Sequence, residues 1–171
     1  MSSLTFLTNE PLTKPGPGLI GVAVIVGASA LVAALGGLIT APAVDGWYRG
    51  LSKPAWTPPD WVFGPVWAVL SATMAVAASI VWLARDCDDV SYPLSAFGTQ
   101  LVLNFAWMVC FFGLKSPLLG FLEVCLLWVI VSVTVAEFFL VSRAAGLLAL
   151  PYWLWVTFTA SLNAAIVILG G

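Results

Sequence analysis

GLIGVAVIVGASALVAALGGLI, Gly18 to Ile39, is an unbroken apolar run inside a longer uncharged stretch between Lys14 and Asp45. A helix needs about 20 such residues to cross the hydrocarbon core of a bilayer. Working outward, charges mark the ends of four more runs. Asp60 and Arg85 bracket one, read as Trp61–Ala84, and Asp89 and Lys115 bracket the next, read as Tyr92–Leu114. Pro117–Val141 is a fourth, although it contains Glu123 and Glu137, and the uncharged remainder after Arg143 holds a fifth, Gly146–Leu169. Residues 1–17 read as an N-terminal tail, and 18–171 as one transmembrane domain with spans at 18–39, 61–84, 92–114, 117–141 and 146–169.

The whole chain agrees with its first run. Of its 171 residues, 61% are hydrophobic and 8% charged, and the net charge is −2; the mean hydropathy is +1.06. A soluble domain carries roughly 25% charged residues, so a soluble enzyme is excluded. Six scattered Lys and Arg exclude a nucleic-acid binder, which needs a basic patch. Long unbroken runs, rather than alternating ten-residue segments, exclude a membrane β-barrel. The expected fold is all-α, a five-helix transmembrane bundle. The first run is too long for the apolar core of a signal peptide, so a retained helix is expected. Lys14, Arg85 and Arg143 fall on one side and Arg49, Lys53 and Lys115 on the other, which leaves the positive-inside rule without a preference.

Chemistry is constrained by what is missing. There is no histidine, and Cys87, Cys110 and Cys125 are far apart. Neither a zinc site, a disulfide framework nor a histidine-based nucleophile can be assembled, and no metal or resident cofactor is expected. Small residues four apart, Ala30/Ala34, Ala33/Gly37, Ala68/Ala72 and Ala75/Ser79, are spaced for close helix packing or are alanine-rich filler.

The most informative loop is WYRGLSKPAWTPPDWVFGPVWAVL, Trp47–Leu70. Its aromatics suit an interfacial belt, but a belt needs no prolines. Pro54, Pro58 and Pro59 stiffen the segment, which reads as a lid over a cavity. Polar groups within the spans point the same way, since each must find a partner or face a cavity. Gln100, Asn104, Trp107 and Phe111 share one helical face; so do Tyr152, Trp155, Thr159 and Asn163, and so do Phe63, Trp67, Ser71 and Met74. If these faces converge they make an apolar pocket with a few orienting polar groups; alternatively the asparagines bond helix to helix. Glu123 and Glu137 each lie within about two turns of a span end, close enough to reach the interface by snorkelling.

Three blocks, WYRGLSKPAWTPPDWVFGPVWAVL at Trp47, QLVLNFAWMVCFFGL at Gln100 and PYWLWVTFTASLN at Pro151, occur in order. On them the chain resembles the TspO/MBR family, the translocator proteins or peripheral-type benzodiazepine receptors. The resemblance implies a five-helix bundle whose long first loop caps a cavity. It implies a membrane-embedded sensor or receptor binding porphyrins or other tetrapyrroles, with sterols and benzodiazepine-type compounds as further ligands, and a homodimer in the lipid bilayer. It also leaves open a light- and oxygen-dependent porphyrin-degrading enzyme and a transporter of apolar ligands. Carried over by motif, the ligand positions are Trp47, Tyr48, Trp67, Asn104, Trp107, Cys125, Trp155 and Thr159; Trp47 and Trp155 would be catalytic only in a porphyrin-degrading enzyme. The chain departs from the family where Ser71 stands for a frequent tyrosine and Thr159 for a frequent alanine. It also ends in LGG without a Lys or Arg after Arg143. That last feature weakens the expectation of a sterol ligand and favours a bacterial membrane over the mitochondrial outer membrane of a eukaryotic member.

Overall fold

A computed structural model describes residues 17–170 of the chain; most of the tail assigned to residues 1–17 therefore lies outside the described residues. Five long helices follow one another: α1 (Pro17–Asp45), α2 (Asp60–Leu83), α3 (Ser91–Met108), α4 (Pro117–Val141) and α5 (Arg143–Ile168). A single turn of 3₁₀ helix, Trp47–Gly50, follows α1, and a π-helical turn, Val109–Gly113, extends α3. No strand occurs among the described residues. All five helices are long and apolar enough to cross a membrane, so the protein is an integral, multi-pass membrane protein with an all-α fold.

Helix ends follow local chemistry. Ser116 caps α4, its hydroxyl accepting from the Leu119 N–H at 3.4 Å, and Pro117 occupies the first helical turn, where a missing N–H costs nothing. The turn before it is closed by Lys115 in the left-handed region, φ 52°. Ser142, in extended conformation, breaks α4 from α5. Asp89 accepts the Ser91 N–H at 3.0 Å at the start of α3, and this bonding lowers its carboxyl pKa. The first helix runs beyond the expected Ile39 to Asp45, passing through Pro42.

The core lies between α2, α4 and α5, where Ala77, Ala78, Val81, Leu127, Val131, Phe138, Ala145, Ala149 and Val156 are buried. Two indole bonds tie α4 to α5: Trp128 Nε1 donates to Thr157 Oγ1 and Trp153 Nε1 donates to Ser132 Oγ, both at 2.8 Å. In lipid, where apolar surface gains little by leaving the solvent, such bonds and close packing hold helices together.

The first helix is peripheral: only 6% of its apolar window is buried, against 33–39% in the others. It docks through Ser29, Gly36 and Ala43, seven residues apart, and through Gly21. A Cβ at Gly36 would run into Met108, and one at Gly21 into the Trp82 indole, whose Nε1 donates to Gly18 O at 3.1 Å. Ala30, Ala34, Ala33 and Gly37 are exposed. The small-residue pairs expected to pack α1 are therefore not its contact face; a heptad-spaced set one position away is. In α2, Ala75 and Ser79 are buried while Ala68 and Ala72 are exposed.

Candidate functional site

Beneath the first loop, α1, α2, α3, α5 and the π-turn enclose a cavity of about 190 Å³. Its walls are Ala33, Gly37, Thr40 and Val44 from α1; Tyr48 from the 3₁₀ turn; and Phe63, Gly64, Trp67, Ala68 and Ser71 from α2. They continue with Asn104, Trp107, Met108, Phe111 and Phe112 from α3 and its π-turn, and Thr159, Leu162, Asn163 and Ile166 from α5. No charged side chain among the described residues lines it. Ala33, Gly37, Gly64 and Ala68 are at once lining and exposed, so the cavity opens sideways between α1 and α2, through positions with little or no side chain.

The aromatic walls are mutually braced. Trp107 stacks on Phe111 at 5.8 Å and 17°, and lies 5.7 Å from Trp67. Phe111 and Phe112 meet edge to face at 4.8 Å. Two neighbours in sequence reach one cavity because the π-turn interrupts the regular helix: Leu114 N–H bonds Val109 O at 2.8 Å, five residues back. Gly120 of α4 makes room for this, since a Cβ there would sit 2.6 Å from Phe111 Cδ2.

The loop closes the roof. Tyr48, 3% exposed, packs against Phe63, Phe111 and Phe112. Burial, with Asp60 adding to it, pushes its phenol up to about 12. Lys53 donates to Tyr48 O at 2.7 Å and holds its ammonium 4.1 Å above the ring, a cation–π contact that pins the turn. Thr57 N–H and Oγ1 both donate to Pro54 O, at 3.0 and 2.7 Å. The aromatic-rich stretch divides: Tyr48, Phe63 and Trp67 face the cavity, while Trp56 and Trp61 are exposed as belt residues are.

Of the positions singled out from sequence, Tyr48, Trp67, Asn104, Trp107 and Thr159 line this one cavity. Trp47 and Trp155 stand behind the wall, Trp47 against Phe111 at 5.5 Å and Trp155 against Phe63 at 5.9 Å. Cys125 is not brought in; it is exposed, one helical step from the buried Val124. Asn104 does both things the sequence allowed, lining the cavity while its Nδ2 donates to Tyr152 Oη at 2.6 Å across α3 and α5. Glu123 does not snorkel: both carboxylate oxygens are buried without a partner among the described residues. Among the described residues no cluster of His, Cys, Asp or Glu could hold a metal ion.

The sequence reading missed Phe112 and the α1 wall. A regular-helix spacing through Gln100, Asn104, Trp107 and Phe111 cannot select two adjacent phenylalanines. The α1 signal was present: Ala33, Gly37, Thr40 and Val44 are spaced i, i+4, i+7 and i+11.

A multi-pass helical membrane protein enclosing an aromatic-walled cavity under a proline-stiffened loop is thus the class defined by fold and site. Residues 23–169 match the family model described as TspO/MBR family. The chain is 36% identical to the tryptophan-rich protein TspO of Chlorobaculum tepidum over 146 residues, 85% of this chain and 92% of that protein. It is 34% identical to the translocator protein of Sus scrofa, over 78% of this chain and 82% of that protein. It is 35% identical to a tryptophan-rich sensory protein of Cereibacter sphaeroides, over 70% and 73%. The chain belongs to the TspO/MBR family.

Proposed function

We propose that the protein is a membrane receptor that senses a flat, apolar tetrapyrrole by seating it against the aromatic walls beneath the first loop. The observation that carries this reading is the cavity itself: Trp67, Trp107, Phe111, Phe112 and Tyr48 converge on one space with no charged lining residue among those described. Each ring stacked on a bound macrocycle would contribute about 0.5–1.5 kcal/mol beyond area burial. The name of the relative from Cereibacter sphaeroides, a tryptophan-rich sensory protein, agrees with it.

Size and charge decide how such a ligand would sit. The cavity, about 190 Å³, is smaller than the roughly 300–1,000 Å³ of ordinary small-molecule sites. A porphyrin would therefore insert one edge against the wall formed by Trp67, Trp107 and Phe111 and extend through the opening between α1 and α2. Burying a carboxylate in this lining would leave it unpaired, at a cost of several kcal/mol. The propionates of a porphyrin would lie outside, toward the interface. A side opening at hydrocarbon depth suits a ligand that arrives dissolved in the bilayer.

The test is a titration of purified protein with protoporphyrin IX, read by quenching of indole fluorescence, beside a sterol. Saturable binding that weakens about tenfold in Trp67→Ala and Trp107→Ala is expected. Binding that is non-saturable, or unchanged in both variants, would refute the reading. Trp47 and Trp155 support the wall from behind, so Trp47→Phe with Trp155→Phe should weaken binding less than either cavity variant.

A further inference from the structure

Two polar atoms in the cavity wall have no partner, and their chemistry is fixed. Trp107 Nε1 and Asn163 Oδ1 are buried and make no hydrogen bond among the described residues, and both side chains line the cavity. The residues are 5% and 2% exposed. An indole N–H can only donate. The orientation of the Asn163 amide is settled by its other end: Nδ2 donates to Thr159 O at 2.9 Å. A carbonyl cannot donate in return, so the amide oxygen must be the end left over. Buried polar groups are almost always satisfied, and one left without a partner costs about 1–3 kcal/mol. Asn104, the other amide in the wall, has already committed its Nδ2 to Tyr152.

We propose that Trp107 and Asn163 form a hydrogen-bonding subsite that selects ligands carrying one acceptor and one donor on an otherwise apolar, uncharged flat frame. The acceptor meets the indole N–H on α3, and the donor meets the amide oxygen on α5. A lactam or a secondary amide within a fused ring system has this pairing; a pure hydrocarbon lacks both groups, and a carboxylate lacks the donor. The subsite rests on the cavity being the ligand site, and it adds a polarity rule that aromatic stacking alone does not supply.

Three flat tricyclic probes of similar size separate the terms: phenanthridinone, with N–H and C=O; N-methylphenanthridinone, with C=O only; and phenanthrene, with neither. Binding to purified wild-type protein is measured by equilibrium dialysis and referenced to each probe's partition into the same detergent. The N–H probe should bind about three- to tenfold tighter than its N-methyl form, the range of one net hydrogen bond. That preference should vanish in Asn163→Leu, which keeps the side-chain size, and persist in Trp107→Phe. The preference for a carbonyl over phenanthrene should show the reverse dependence.

Equal preferences in all three proteins would overturn the subsite while leaving the cavity as a ligand site, provided phenanthrene binds. If none of the probes binds saturably, the subsite falls, and the protoporphyrin IX titration decides the receptor reading separately. Phenanthrene binding also reports that a variant is folded; where a variant loses it, the comparison of the three probes on the wild type decides.

Discussion

Replacing Gly120 by alanine should damage the cavity from outside it. The new Cβ would lie 2.6 Å from Phe111 Cδ2 and 2.8 Å from Phe111 Cβ, where ordinary carbon contacts are about 3.5–4.0 Å. Phe111 must retreat by about 1 Å, and because the clash includes its Cβ, rotation of the ring does not relieve it. The π-turn backbone has to move, carrying with it the Phe111 stack on Trp107 and the edge contact with Trp47. Overpacking of this kind costs about 1–3 kcal/mol. Alanine returns up to about 1 kcal/mol of helix propensity.

Gly37→Ala supplies the control. A Cβ at Gly37 meets nothing within 4 Å, so it keeps the propensity gain without the clash. The propensity terms cancel between the two variants, leaving about 1–3 kcal/mol as the difference to be measured. Thermal unfolding in detergent, followed by indole fluorescence, should place Gly120→Ala several degrees below Gly37→Ala. Protoporphyrin IX affinity should fall in Gly120→Ala. Equal melting temperatures with unchanged affinity would show that the π-turn does not rest on Gly120 as described.

Three further outcomes follow from the same geometry. Trp153→Phe and Trp128→Phe each remove one indole bond between α4 and α5 and should each cost about 0.6 kcal/mol, up to about 1.7; equilibrium unfolding in mixed micelles measures it, and no loss in the double variant would contradict the clamp. Lys53→Met removes both the bond to Tyr48 O and the cation above its ring; ligand dissociation in stopped flow should speed up several-fold, and an unchanged rate would mean the turn is not pinned there. The Tyr48 phenol is raised to about 12 in the folded protein, from about 10 in an unfolded chain. Between those values the unfolded state has released the proton and the folded state has not, so this residue's contribution makes stability fall as pH rises above about 10, with no effect below. Melting temperatures across pH 7–11.5 should fall less steeply in Tyr48→Phe than in the wild type, and identical slopes would count against a buried, neutral phenol.

The five spans were legible because charge is so rare that each gap between charged residues delimits a helix. Their ends were less so. The apolar run of the first span ends at Ile39, yet the helix continues through Pro42 to Asp45. The Glu123 carboxylate was close enough to a span end to snorkel, but both its oxygens are buried, and sequence spacing cannot say which face of α4 is covered. The cavity faces on α2, α3 and α5 were readable because aromatics and amides recur there at helical period. The α1 wall was masked by abundance: with small residues almost everywhere in that helix, Ala30/Ala34 looked as good a packing pair as Ser29, Gly36 and Ala43. The adjacent pair Phe111 and Phe112 depends on a π-turn that no periodicity announces. Cys125, carried over by motif, is exposed beside the buried Val124, and helical period around it gave no sign of which of the two faces the core.

Filling the cavity tests the account most directly. Ser71 lines it from α2, and Ser71→Phe would place a ring where the ligand edge is expected. Protoporphyrin IX titrated into wild type and Ser71→Phe of matched thermal stability should bind the filled protein at least tenfold more weakly; equal affinity would place the ligand elsewhere.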